Sequence, residues 1–178
     1  RYLLSIGAVL FNRSDFKDAA REFHEEAFWL MGEEGLNKFD ELLEQKCSIS
    51  SKAFHHGGFY IMRSDNLHMI VDCVSADPRT PAGHKHNSRL SFELFAYDKS
   101  FIIDPGAYIY TADKDMRNLF RSTWYHNTVV VDGEEQNRFD ENELSSMGHD
   151  AAVKVNRWGS TEEHDFLDAE HSGYKRLK

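Results

Sequence analysis

Apolar residues recur at steps of three and four in the first quarter of the chain and largely alternate with polar ones after it. The run Tyr2–Phe11 is apolar and rich in good helix formers, which predicts a helix. Ser14 or Asp15 can cap a second helix from Phe16 to about Met31. Phe16, Ala20, Phe23, Ala27 and Leu30 or Met31 make one stripe along it, and Gly32 is a fitting stop. A short third helix is expected over Leu36 to Leu43, with Leu36, Phe39, Leu42 and Leu43 inward. Such helices read as the end of a larger helical array.

After the polar connector "SISSKAF" the period changes. "GGFYIMRS", "LHMIVDCVS", "LSFELFAY", "SFIID", "NTVVVDG", "AAVKVNRWG" and "HDFLDAEH" read as strands. Asp132-Gly133 after three valines is a hairpin signal. No helices are expected between these strands, so the sheet should be mostly antiparallel. The expected fold class is α+β: short N-terminal helices followed by a mostly antiparallel β-sandwich. The expected divisions are a helical segment over 1–46, a connector over 47–56 and a β-domain over 57–178.

Composition narrows the function classes. Lys plus Arg is 21 and Asp plus Glu is 30, a formal charge of −9. That argues against a broad basic face for nucleic acid or an anionic membrane, but leaves room for a locally basic cleft. No apolar run approaches the ~18 residues of a membrane span, and no signal-peptide pattern is present. Cys47 and Cys73 are too few for a disulfide framework, though a single bridge stays open. Both ends read as cut, so the chain is expected to be a piece of a longer protein, with compartment and oligomeric state open.

The candidate chemistry begins at "GHKHNSRLSFELF". Read as the start of a strand, His84 and His86 point to one side. They could share a metal, or one could ligate while the other meets a substrate. The blander reading, two polar residues at a strand start, is the commoner outcome for an isolated HxH pair. Asp104 in "IIDPG" ends an apolar strand, although Asp before Pro-Gly is also an ordinary turn. His126 in "WYHNTVVV" precedes another. Two histidines and a carboxylate are a normal zinc set. A cupin-like site would add Glu93. It lies seven residues after His86, so an unbroken strand turns it to the opposite face unless a bulge intervenes.

"GHKHNSRLSFELFAYDKSFIIDPGAYIYT" and "RNLFRSTWYHNTVVVDGEEQNRF" together resemble the β-sheet domain of the heparinase II/III-like family of polysaccharide lyases and relatives. "FHEEAFWLMGEEGLNKFDELL" resembles the end of that family's (α/α) toroid. The resemblance implies that His84 lies at the active-site cleft. It implies that His86, Asp104 and His126 bind a mainly structural zinc ion. Two departures stand out: Ser88 replaces an Asp common after G-H-x-H-N, and Leu119 replaces a frequent Tyr. The family's principal acid/base residues belong to toroid segments upstream of this chain.

The implied reaction is β-elimination beside a uronic acid in an acidic polysaccharide or oligosaccharide. The sugar carboxylate is neutralised, a base removes the C5 proton, and an acid protonates the leaving oxygen. His84 is the candidate in this chain for neutralisation or proton transfer. Arg117 and Arg121 are candidates for binding acidic groups, with pairing to internal carboxylates equally open. Tyr108 and Tyr110 are candidates for stacking on sugar, although strand aromatics are more often core. The second function class is a non-catalytic carbohydrate-handling domain from surface-polysaccharide assembly. A periplasmic or extracellular setting would follow from likeness to degradative lyases.

Overall fold

The computed structural model describes residues 1–43, 50–75, 82–143 and 146–177. The chain divides into two units, Arg1–Ile49 and Ser50–Lys178. Cys47 lies outside the described residues, and Cys73 is a buried free thiol.

The first unit holds α1 (Tyr2–Phe11), α2 (Ser14–Ala20) and α3 (Glu25–Glu41). Ala8, Ala20 and Phe39 form its core, with Leu4, Val9, Phe16, Phe23 and Leu42 packed against them. The single helix expected from Phe16 to Met31 is broken at Arg21, whose φ is 74°. Ser5 stabilises the break: its hydroxyl donates to the Glu22 carbonyl at 2.9 Å and accepts the His24 N–H at 3.4 Å. Gly32, at φ 62°, interrupts α3 without ending it. The expected third helix is therefore the second half of α3, and Leu43 is exposed rather than inward. No helix among the described residues is long and apolar enough to cross a membrane.

The second unit opens with a five-stranded antiparallel meander. Its strands are β1 (Lys52–Phe54), β2 (Phe59–Ser64), β3 (Leu67–Asp72), β4 (Phe92–Ala96) and β5 (Lys99–Ile102), in that order. β1 lies inside the stretch expected as connector. After β5 come α4 (Lys114–Arg121) and an antiparallel pair, β6 (Val153–Ser160) with β7 (Asp165–His171). Alternation places Tyr60, Met69, Val71 and Phe92 on one face of the meander. That face packs on Val153, Val155, Trp158, Leu167 and Ala169 of the pair. Burying each large side chain contributes about 1.5–3 kcal/mol. Asp165 binds the two layers at their rim, accepting from the Ser51 hydroxyl at 2.5 Å and the Arg63 N–H at 3.3 Å.

Two expected strands are not formed. The stretch over His84 and His86 is a 3₁₀ turn, Ala82–His84, followed by irregular chain up to β4. "NTVVV" is irregular as well, except for a single bridge of Val131 with Glu134 around the turn at Asp132 and Gly133. Side-chain hydrogen bonds replace the sheet ladder in both. α4, to which the pattern assigned no element, starts where the Asp113 carboxylate accepts the Met116 N–H at 3.0 Å. It buries Arg117, Asn118 and Arg121 and leaves Leu119 exposed, so its polar face is the inward one.

Candidate functional site

The site is assembled from three irregular segments fixed by buried polar groups. In the first, Asn87 is fully buried, and its main-chain N–H donates to the Arg121 carbonyl at 2.9 Å. Its amide oxygen takes the main-chain N–H and side-chain amide of Asn137 at 3.0 and 2.9 Å. His86 is thereby set just before a pinned residue, and Leu90, at φ 60°, ends the segment before β4. In the second segment, Asp104 closes its own turn by accepting the Gly106 N–H at 2.8 Å. Gly106 sits at φ 69°, the left-handed conformation that favours glycine there. The third is the 3₁₀ turn Thr123–Tyr125, and the His126 N–H closes on the Thr123 carbonyl at 3.2 Å.

These segments bring His86, Asp104 and His126 together as a chain. The Asp104 carboxylate lies 2.5 Å from His126 Nδ1, and His126 Nε2 lies 3.2 Å from His86 Nδ1. Burial alone would raise the Asp104 carboxyl. The His126 hydrogen bond, the Gly106 N–H and the neighbouring imidazoles outweigh it and hold the group below the usual range. An ionised Asp104 accepts only, so His126 carries a proton on Nδ1. His86 is pushed down to about 4, first by burial, then by His126, Arg117 and Arg121, against the pull of Asp104. It is a neutral imidazole.

Among the described residues, no group of three or more His, Cys, Asp or Glu surrounds a common point as a metal cage would. Asp104 stands on the far nitrogen of His126. That is where a metal-bound histidine usually meets its supporting carboxylate.

A cleft of about 370 Å³ opens beside this chain. His84, Lys85, His86, Arg89, Asp104 and His126 line it, and Glu93 reaches it too. Strand parity does not turn Glu93 away, because no strand links it to His86. His84 is exposed, with its ring 5.7 Å from that of Tyr110. Tyr108 stacks on Phe120 at 5.0 Å and is 70% exposed. Arg117 and Arg121 are not surface groups. Arg117 donates to the Gly83 carbonyl and Arg121 to that of Ser146, and the Arg121 guanidinium lies 4.6 Å over Phe139. Burial first, then the charge of Arg117, brings Arg121 down to about 10, against the pull of Glu135. Ser88, at the first departure, donates to Asp72 at 2.8 Å.

Sequence reasoning missed the residues that shape the site: Asn87, Thr123, Glu135, Gln136 and Asn137. The available signal was polarity without interruption in "GEEQNR", where a half-buried strand would alternate.

A family profile described as "Heparinase II/III-like, C-terminal" matches residues 48–178. The chain belongs to that family. A curated heparin-sulfate lyase of Pedobacter heparinus is 32% identical over 88 residues, 47% of this chain and 13% of the lyase. Among solved structures, a heparinase III gene product with methylated lysines superimposes with a TM-score of 0.59 at 22% identity, covering 77% of this chain and 20% of that one. The heparan sulfate lyase HepC from Pedobacter heparinus gives 0.55 at 21% identity, covering 92% and 24%. At these identities the structural likeness is one of fold. The chain spans about a quarter or less of these relatives' own lengths.

Proposed function

We propose that this chain supplies the β-domain of a lyase that cleaves a uronic-acid-containing glycan by β-elimination. The observation that carries this is an exposed imidazole, His84, in a cleft beside the Asp104–His126–His86 chain. Family membership and the heparin-sulfate lyase relative favour an acidic glycosaminoglycan as the substrate class. His84 neutralises the sugar carboxylate or moves a proton. Tyr108 and Tyr110 offer exposed rings to sugar faces. Buried Arg117 and Arg121 act as positive charge behind His86 rather than as direct contacts. The remaining acid/base groups come from the toroid of the whole protein.

We further propose that His86 and His126 hold zinc, with Asp104 ligating or supporting His126 from its far nitrogen. Their ring nitrogens are 3.2 Å apart. Bonds of ~2.0–2.1 Å on a tetrahedral ion set two nitrogens roughly 3.3 Å apart. The neutral state of His86 suits ligation. The ion would sit between the two rings and tie the two segments together.

The test is a paired measurement on the full-length protein. His84→Ala should cut formation of the ultraviolet-absorbing unsaturated product by ~10²–10⁴-fold with an unchanged melting temperature. His86→Ala should lose zinc and melt lower. The 178-residue chain alone should release no measurable product. Full activity in His84→Ala would overturn the catalytic reading and favour a non-catalytic carbohydrate-handling domain. The exposed aliphatic Leu119, where many relatives have Tyr, is the feature that favours that alternative.

A further inference from the structure

One carboxylate reaches both histidine-bearing segments. Glu135 Oε2 accepts the Asn87 side-chain amide at 2.8 Å, the Thr123 N–H at 2.8 Å and the Thr123 hydroxyl at 2.7 Å. Its Oε1 accepts the Ser122 hydroxyl. Asn87 directly follows His86 in the chain. Thr123 carries His126 through the hydrogen bond from the His126 N–H to its carbonyl. Four donors on one carboxylate use most of its lone-pair capacity in fixed directions.

We propose that Glu135 is a positioning residue that sets the distance between His86 and His126. It touches neither ring. Its two oxygens fix the main chain on either side of the gap the rings span. Its neighbours hold it in turn: the Arg176 guanidinium donates to its carbonyl at 2.5 Å, and the Gln136 N–H binds Thr123 Oγ1 at 3.0 Å. The adjacent Glu134 points elsewhere, 3.6 Å from Arg176 and half exposed. Position 135, not negative charge in this turn, is therefore the feature that matters. The inference rests on reading His86 and His126 as the centre of the site. Its test reads the rings themselves, so it is decided separately from zinc binding or glycan cleavage.

The experiment records imidazole ring-nitrogen NMR signals of the full chain at one fixed pH, without added metal. His86→Gln and His126→Gln assign the two rings. Glu135→Gln keeps the shape and replaces two acceptor sites by donors. It should move the ring signals of both His86 and His126 while leaving those of the distant His164 in place. Glu134→Gln should move neither. Ser122→Ala removes one of the four donors to Glu135, along with the acceptor of the Trp124 N–H at 3.3 Å, and should shift His126 in the same direction by less. It also stands in if Glu135→Gln is too unstable to record. A folded Glu135→Gln protein whose His86 and His126 signals overlay the wild type overturns the proposal. So does an equal response to Glu134→Gln, or, where Ser122→Ala stands in, an unmoved His126.

Discussion

Tyr60, Val71 and Cys73 are buried among rings and methyl groups, while Asn87, Thr123, Gln136 and Asn137 are buried at least as deeply among amides, hydroxyls and a carboxylate. The first interior joins two sheets. The second joins irregular segments and carries the site. Apolar packing is non-directional and accepts any side chain of the right volume. In the polar interior each group has a named partner. Gln136 imitates a neighbouring strand: its amide oxygen takes the Arg89 N–H at 2.9 Å and its nitrogen gives to the Arg89 carbonyl at 3.0 Å. Such an interior holds histidines in place more tightly than methyl groups can, but it tolerates fewer substitutions.

The contrast can be broken by mutation. The largest effect is expected at Tyr60, whose ring lies 5.3 Å from that of Trp158. Tyr60→Ala should cost about 3–5 kcal/mol in urea unfolding; a loss under about 1 kcal/mol would mean the two layers do not pack there. Next comes a pair of near-isosteric changes. Gln136→Leu leaves the Arg89 N–H without its partner, while the Arg89 carbonyl keeps the Thr128 hydroxyl, so about 1–3 kcal/mol should be lost. Cys73→Val in the apolar interior should cost under about 1.5 kcal/mol. If Cys73→Val proves the more damaging, the distinction between the two interiors fails.

A smaller effect is expected from acid. Burial tends to raise the Asp165 carboxyl, but hydrogen bonds from Ser160, Ser51 and the Arg63 N–H outweigh it and hold it below its ordinary value. A depressed carboxyl stabilises the fold above the unfolded value of about 3.9 and loses that contribution as pH falls through the folded one. The urea midpoints of wild type and Asp165→Asn should differ at pH 6 and draw together below about pH 4. A constant gap would show that ionisation plays no part. Smallest in stability terms is Cys73. Burial, then the charge of Asp72, pushes its thiol up to about 11. Peptide mapping after iodoacetamide at neutral pH should find Cys73 unlabelled until urea is added.

The same division explains what could be read from the sequence. β2, β3, β6 and β7 were legible because one face of each meets methyls and rings, and burial writes a period of two. "HKHNSRLSF" reads as a strand start, yet its residues 85–91 are not strand, because Asn87 and Arg89 bond to amides some fifty residues away. Three valines after Asn127 and Thr128 read as strand. The Asn127 amide instead holds the Phe92 and Ile103 carbonyls, and the Thr128 hydroxyl gives to Arg89. The break at Arg21 carries no Gly or Pro; its cause is Ser5, sixteen residues earlier. The approach of Asp104, His86 and His126 follows motifs that a family resemblance made visible. The amides that hold them carry no periodic signal.

The reach of Gln136 and Asn137 also has a consequence for the order of assembly. Their bonds to Arg89 and Asn87 close over 47 and 50 residues, and Asn137 itself is held by the Ala151 N–H at 2.8 Å. Contacts this distant along the chain form slowly, because a long loop must be closed before any bond rewards it. The β2–β3 hairpin can pair as soon as its two-residue turn exists. The two histidines acquire fixed positions only once the polypeptide has been made past Ala151. In refolding, sheet signals should therefore recover before the environment of the histidine rings does, and a chain stopped short of Ala151 should carry the whole G-H-x-H motif without its geometry.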